Sequence, residues 1–545
     1  MKWKSYPYII IVTVPEMIPV SIPGGERLPK KKLIFLGSTI IIVAIISIWI
    51  GSAINLPTPV AYKNYEGRVF YEIFVRAFKD SNGDGIGDLD GVTAQLDYLE
   101  DLGVRGLWLM PITKATSYHG YDTEDYYTID EDYGTLEDLE VLVKEAHKRD
   151  IKVVMDLVIN HTSTEHPYFK EARQDAKSPY RAYYIWNDDL SKEFERSPMS
   201  TLAWAVNEGQ EELYYAMFDK SMPDLNYDNP QVEEEMQKVA KHYLDLGIDG
   251  FRLDAAKWIY NEKEKNIDFW NRFQSFVHEQ NPEAILIGEV WDAPYNICEY
   301  AQVLDSFFDF NVGDSILNAM NNKTLSNVVY NYKTIEEMYK EEDASFVLAP
   351  FLTNHDQTRV MNILREDVAK MKVAATIYLS LPGTPFIYYG EEIGMTGTKP
   401  DEHIREPFIW SGKDLTQNTT WIDSTNKVEQ VALDTQIEDS QSLYHHYKQV
   451  IGLRNTHKAL SIGTVEEVKT PSQKVFAMER SYEEEQIYVL ASISDVEETI
   501  LLEEGTYKVL LDSQGPTHLT TGENSSNYTH QVTLKPGQIM ILSKN

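Results

Sequence analysis

Four short segments close apolar runs with ionisable side chains: Asp156-Leu157-Val158-Ile159-Asn160-His161, Gly250-Phe251-Arg252-Leu253-Asp254, Ile287-Gly288-Glu289-Val290-Trp291 and Thr353-Asn354-His355-Asp356. The chain holds 85 acids, so a single one carries no message. Three at the ends of separate runs, grouped with Arg and His, do. Two carboxyl groups facing one point, one ionised and one protonated, can cleave a glycosidic bond. The first attacks the anomeric carbon and the second gives its proton to the leaving oxygen. Arg252 lies two residues from Asp254, so in a strand both side chains leave the same face. Its charge would hold Asp254 ionised, as a nucleophile requires. Glu289 would be the acid, its pKa raised by the neighbouring carboxylates.

Such groups converge only if the runs that carry them are strands of one sheet. Apolar runs at 69–75, 106–110, 152–158, 250–255, 285–290, 306–310, 346–352 and 384–389 alternate with helical patterns such as 136–149 and 232–246. Eight strands separated by helices predict an α/β chain: a closed parallel (β/α)8 TIM barrel whose strand C-termini form one mouth. The polar, aromatic, weakly periodic stretch 161–222 reads as a small domain inserted after strand three. Helix 442–454 ends the barrel. Alternating runs at 475–478, 486–494, 499–502, 507–511, 530–534 and 538–542 predict a C-terminal antiparallel β-sandwich. The expected organisation is an N-terminal region 1–56, barrel 57–160, insertion 161–222, barrel 223–460 and β domain 461–545.

Composition narrows the function further. The 545 residues are 43% apolar and 25% charged, enough for a large core. Thirty-four Tyr and ten Trp offer flat, half-polar surfaces for stacking on sugar rings. A net charge of −35 repels phosphate backbones and argues against nucleic acid as a partner. With Cys298 alone, the chain has neither an intrachain disulfide nor a cysteine zinc cage. Lys30, Lys31 and Lys32 precede an apolar run at 33–50, and Gly51-Ser52-Ala53 follows it. Basic flank, apolar run and small residues read as a cleaved secretory signal, with an uncleaved anchor as the alternative. Either way the bulk of the chain is expected outside the cytoplasm, secreted or held on the outer face of the membrane.

The same segments resemble the core motifs of glycoside hydrolase family 13, the α-amylase family: DLVINH (156–161), GFRLDAAKW (250–258), IGEVW (287–291) and LTNHD (352–356). GVRGLWLMP (103–111), MPDLN (222–226) and GTPFIYYGEE (383–392) flank them in family order. MPDLN resembles the intermediate subfamily between oligo-1,6-glucosidases and neopullulanases. The resemblance implies Asp254 as nucleophile, Glu289 as acid/base and Asp356 as transition-state stabiliser, in a double displacement with retention. It places His161, Arg252 and His355 around the −1 sugar, Tyr121 stacked beneath it with His119 alongside, and Lys257 among the substrate-binding residues. It makes 161–222 the family's domain B and the C-terminal β region its domain C.

Asp80-Ser81-Asn82-Gly83-Asp84-Gly85-Ile86-Gly87-Asp88 alternates oxygen donors with glycines where the chain must turn sharply, the pattern of a calcium loop. It resembles the loop after strand one in oligo-1,6-glucosidase-like members, which implies Ca2+ held by Asp80, Asn82, Asp84, Asp88 and the Ile86 carbonyl. Many α-amylases carry Lys-His in the strand-four motif, where the His carbonyl helps hold a second calcium; here Lys257-Trp258 stands there, while Asn160 is retained. Strict α-1,6 relatives tend to carry Val after the nucleophile, so Ala255 leans towards α-1,4 bonds. Exo-acting relatives tend to have an Asp where Tyr118 stands, paired with an Arg matching Arg405. The resulting expectation is a secreted, monomeric, endo-acting α-amylase working on starch and maltooligosaccharides. A cyclomaltodextrinase, neopullulanase or 4-α-glucanotransferase is the alternative. A non-catalytic membrane ancillary subunit is more remote, because its kind has lost carboxylates that this chain keeps.

Overall fold

The computed structural model describes residues 63–515 and 530–545. The signal or anchor expected within 1–56 lies outside them. Among the described residues no helix is long and apolar enough to cross a membrane.

Seven parallel strands form one sheet: β1 (Phe70–Ile73), β2 (Gly106–Leu109), β3 (Lys152–Leu157), β4 (Gly250–Leu253), β5 (Ile285–Gly288), β6 (Ser306–Phe307) and β7 (Phe386–Tyr388). Their order is β6-β5-β4-β3-β2-β1-β7. Every residue of β1, β2, β4 and β5 is buried, as expected where helices cover one face and barrel contents the other. Phe70, Trp108, Val154, Ile285, Phe308 and Phe386 meet inside the barrel, drawn from six different strands or their ends.

The run at 346–352 supplies the eighth stave without becoming the regular strand expected of it. Phe308 and Ala349 make a parallel bridge. On the other side the Thr384 N–H donates to the Leu348 carbonyl (2.8 Å) and the Phe386 N–H to the Pro350 carbonyl (2.9 Å). The ring is therefore closed between β6 and β7. Pro350 has no N–H for the ladder, so the stave bonds at isolated points.

Helices start where the sequence provides caps. Thr135 and Asp138 form a capping box at Leu136–Lys148, Asn229 caps Pro230–Asp245 with proline in its first turn, and Ser442 caps Leu443–Thr456. After β3 the chain makes an excursion whose two ends are tied together. The Thr162 N–H donates to the Pro223 carbonyl and the Leu225 N–H to the Asn160 carbonyl. Between them lie helix Pro167–Gln174 and a three-stranded antiparallel sheet of Trp186–Asn187, Leu213–Tyr215 and Trp204–Val206, with Leu213–Tyr215 in the middle. Tyr184 is buried against Phe169, and the Arg181 guanidinium lies 3.6 Å from the Trp186 ring centre, so these aromatics build the excursion's own core.

The C-terminal region is a sandwich of a five-stranded and a two-stranded antiparallel sheet. Val475, Ala477, Tyr488 and Leu490 share a core with Ile500, Leu502, Val532 and Leu534 of the smaller sheet. Phe476, Met478, Ile487 and Val489 alternate with them and join the main core instead. Period-two alternation with both faces apolar thus docks the sandwich on the barrel. The edge strand Thr464–Glu467 lies outside the expected runs, since only Val465 in it is buried.

Gly250 opens β4 with its α-carbon against β5. An added Cβ would stand 2.1 Å from the Ile285 carbonyl oxygen and 2.5 Å from its nitrogen. Gly250→Ala is expected to destabilise the barrel by more than ~3 kcal/mol, because backbone cannot step aside as a side chain can. Denaturant unfolding of the purified variant, or its failure to accumulate as soluble protein, checks this.

Candidate active site

Strand register brings the site together. Asp156 of β3 and Ile287 of β5 both stand opposite Arg252 of β4. Asp254 and Glu289 each lie two residues further on, at one level of the mouth and on the face to which Arg252 points. The fully buried Arg252 guanidinium takes all three acids. Nη1 donates to Asp156 Oδ1 (2.7 Å) and Asp254 Oδ1 (2.6 Å). Nη2 lies 2.9 Å from Glu289 Oε2, an ion pair without an aligned hydrogen bond. Trp108 on β2 donates its indole N–H to Asp156 Oδ2 (3.3 Å).

Ala255, just past β4, adopts a left-handed conformation (φ 47°, ψ 36°), which turns its N–H onto Glu289 Oε2 at 3.0 Å. A residue without β-branching suits that backbone.

A second group faces the first. Asp356 Oδ1 accepts from Arg405 Nη2 (2.9 Å), and Asp356 Oδ2 lies 3.2 Å from His355 Nε2. The same His355 Nε2 is 2.6 Å from the Tyr121 hydroxyl, which donates to Asp156 Oδ2 (3.0 Å) and so links the two groups. Tyr121 and His355 stack with centroids 5.5 Å apart and planes 16° off parallel. His161 and His119 grip the Tyr121 backbone: His161 Nε2 donates to its carbonyl (2.9 Å), and its N–H donates to His119 Nδ1 (3.1 Å).

Burial and charge sharing set the protonation states. Burial raises Asp254 against the downward pull of Arg252, and Asp356 adds to the rise. Arg252 pulls Asp254 towards the ionised form, as expected, and burial opposes that pull. Glu289 is raised as expected, though by burial first and by Asp254 and Asp356 after it, with Arg252 opposing. Burial pushes Asp156 up to about 7. Asp356 goes the other way: burial would raise it, but His355 and Arg405 hold it far below the usual carboxylate range. His355 rises to about 9, as Asp356 and Glu72 outweigh the burial that would lower it. Burial drops His161 to about 4 and lowers His119, so His161 is a neutral donor at pH 7.

Of the residues singled out in the sequence, Asp254, Glu289, Asp356, Arg252, His355, Tyr121, His119 and His161 are linked through these contacts. Lys257 stands apart: its ammonium pairs with Asp292 at 2.5 Å and lies 4.6 Å from the Trp258 ring centre. Three residues escaped the sequence reading of the site: Asp156 as partner of Arg252, Arg405 as partner of Asp356, and Glu72 behind His355 at 2.5 Å. Glu72 had a signal, being the charged residue of the run Phe70-Tyr71-Glu72-Ile73.

The 80–88 loop folds on itself in turns. Asp80 accepts from the N–H groups of Asn82, Gly83 and Gly85; Asn82 accepts from Asp84, and Asp84 from Ile86. Asp88 accepts from Ser81 and caps the next helix through Gly91. The donor set is all hard oxygen, suited to Ca2+; Asp80 Oδ1 and Asp88 Oδ2 each already accept two hydrogen bonds, while Asp80 Oδ2 and Asp84 Oδ1 each accept one and keep a lone pair for a cation. Among the described residues, however, no three His, Cys, Asp or Glu side chains are gathered as a metal-holding group.

At the root of the excursion Asn160 Nδ2 donates to the Trp258 carbonyl at 2.5 Å. Protein atoms thus join directly the two positions that the family resemblance would bridge with a second calcium.

This fold and site define a glycoside hydrolase of the barrel type, and comparison with known proteins agrees. The family model described as "Alpha amylase, catalytic domain" matches residues 72–463. The chain belongs to the α-amylase family. It is 44% identical over 438 residues to "Alpha-amylase 3" of Dictyoglomus thermophilum, covering 80% of this chain and 86% of that protein. It is 33% identical to the "4-alpha-glucanotransferase" of Thermotoga neapolitana, over 73% of this chain and 89% of that one. The crystal structure of an α-amylase from H. orenii superposes with a TM-score of 0.83 at 38% identity, covering 89% of this chain and 100% of that one.

Replacing Asn160 with Ala is expected to cost about 1–2 kcal/mol, the price of one buried hydrogen bond and an orphaned carbonyl. Limited proteolysis within 161–222, faster in the variant than in the parent, is the measurement.

Proposed function

We propose that this enzyme is a secreted, monomeric, endo-acting α-amylase that hydrolyses α-1,4 bonds of starch and maltodextrins with retention of configuration. The observation that carries the reading is one buried guanidinium holding Asp254 and Glu289 side by side, facing an Asp356 kept ionised by His355 and Arg405. Asp254 attacks the anomeric carbon as Glu289 delivers its proton to the leaving glycosidic oxygen, giving a glycosyl–Asp254 ester. Glu289 then takes a proton from water, whose oxygen displaces Asp254. The negative Asp356 favours the oxocarbenium-like charge that develops between these steps.

Two features support an open cleft. Tyr118, at the place where exo-acting relatives tend to carry an acid, stacks on Trp421 with centroids 5.3 Å apart. The Arg405 guanidinium is committed to Asp356 and the His355 carbonyl, so it is not free to clamp a chain end. On soluble starch, a spread of maltooligosaccharides is expected. Glucose or maltose alone would count against endo action, and transfer to an added sugar acceptor in place of hydrolysis would favour the glucanotransferase alternative.

Asp254→Asn and Glu289→Gln should each lower kcat by ~10³-fold or more. Near-parental hydrolysis by either would overturn the roles. The acid limb of kcat/KM reports protonation of Asp254, and the alkaline limb ionisation of Glu289. Both groups are raised, so both limbs should sit above the ordinary carboxylate range. A rate profile measured from about pH 4 to pH 10 tests this.

The same reading assigns the 80–88 loop a structural Ca2+, with Asp80, Asn82, Asp84, Asp88 and the Ile86 carbonyl as donors. Chelation should lower Tm by several degrees, added Ca2+ should restore it, and Asp84→Ala should abolish the response. A parent whose Tm ignores both chelator and Ca2+ has no such site.

A further inference from the structure

Glu72 is 1% exposed inside the barrel, in a strand otherwise built from apolar and aromatic side chains. A carboxyl group in such a place is neutral unless a charge of opposite sign meets it. What meets it is His355, whose Nδ1 lies 2.5 Å from Glu72 Oε1.

The other nitrogen of that ring fixes part of the proton count. Tyr121 has a single hydroxyl proton, and Asp156 Oδ2, 3.0 Å away, is its acceptor when that acid is ionised. Nε2 lies 2.6 Å from the Tyr121 oxygen and 3.2 Å from Asp356 Oδ2, and an ionised carboxylate only accepts, which places a proton on Nε2. The open question is whether the proton between Nδ1 and Glu72 rests on nitrogen or oxygen. The groups acting on the imidazole decide it. Glu72 faces it from β1 and Asp356 from its own loop, with Asp156 from the end of β3 and Asp254 from the end of β4 further off. Against these four acids stand Arg252 and Arg405; Arg252 is already paired with Asp156, Asp254 and Glu289, and Arg405 with Asp356. The local excess is negative, which favours the proton on His355.

We propose that Glu72 is a positioning residue: its ionised carboxylate keeps His355 doubly protonated, with Nε2–H fixed towards Tyr121 and Asp356. Glu72 does not reach the mouth itself; it acts through the imidazolium. That imidazolium helps keep Asp356 ionised and holds the Tyr121 ring parallel to its own. His355 rises to about 9, in line with this arrangement, while burial raises Glu72 against the pull of His355; the 2.5 Å contact and the local excess of acids place the proton on nitrogen. The inference rests on the proposed glycosidase reading only where it predicts rates.

The test pairs a spectroscopic readout with a kinetic one. In the unsubstituted protein, ¹H–¹⁵N spectra of labelled histidine, with His355 assigned from its loss in His355→Asn, should show both ring N–H groups up to about pH 8. Glu72→Gln preserves size and a hydrogen-bonding oxygen while removing the charge. It should move the His355 titration down by about one unit or more and steepen the alkaline fall of kcat/KM that Glu289 sets, because a second proton is then lost in the same range. The rate should fall about tenfold near pH 9 but less than about threefold near pH 6, with KM little changed. Glu72→Asp, which retains the charge, should recover part of the alkaline limb. A neutral His355 at pH 7 in the unsubstituted protein overturns the proposal even if no variant folds. So does an unmoved His355 titration in Glu72→Gln. These outcomes are distinct from failure of the glycosidase reading, which shows as an active Asp254→Asn while the histidine spectra stay as expected.

Discussion

The site depends on a single charge placed where water cannot screen it. Arg252 has no exposed surface, and its guanidinium is the common partner of Asp156, Asp254 and Glu289. Stripping a cation of water is costly unless anions replace the solvent. Here three anions compete for one cation, so each is under-compensated and the shared burial pushes their pKa values up. The upward shift of Glu289 follows from burial first and from this crowding of acids around one cation after it. It does not require a special property of Glu289 itself.

The opposite half of the mouth is arranged in the inverse sense. Asp356 has two cations within reach, His355 and Arg405, and stays ionised despite its burial. The two halves meet at Tyr121, whose hydroxyl touches His355 and Asp156 and whose backbone is held by His119 and His161. Acids of opposite protonation tendency thus share one mouth. That separation suits an acid, a nucleophile and a charge stabiliser working together.

The barrel converts sequence spacing into this geometry through register alone. Parallel pairing of β3, β4 and β5 puts Asp156, Arg252 and Ile287 at one level, and the two-residue strand repeat then delivers Asp254 and Glu289 at the next. Much of this was legible beforehand, because strand runs that alternate with helices state the fold class and acids at strand ends state the mouth. The stave at 346–352 was legible as an apolar run but not as an irregular one, since Pro350 interrupts bonding that apolar character predicts. Thr464–Glu467 left little apolar trace, Val465 being its one buried residue, because it is an edge strand.

The family, the barrel and eight of the residues that cluster at its mouth are each written in a local motif, and so were legible without coordinates. Tertiary structure decided who shares charge with whom. Glu72 and His355 are 283 residues apart, and Arg405 and Asp356 are 49 apart. Their pairing has no local signature, and so neither do the protonation states that follow from it. Burial sets the dominant shift for Asp254 and Glu289. Burial is a property of the closed barrel, and no segment of the chain carries it alone.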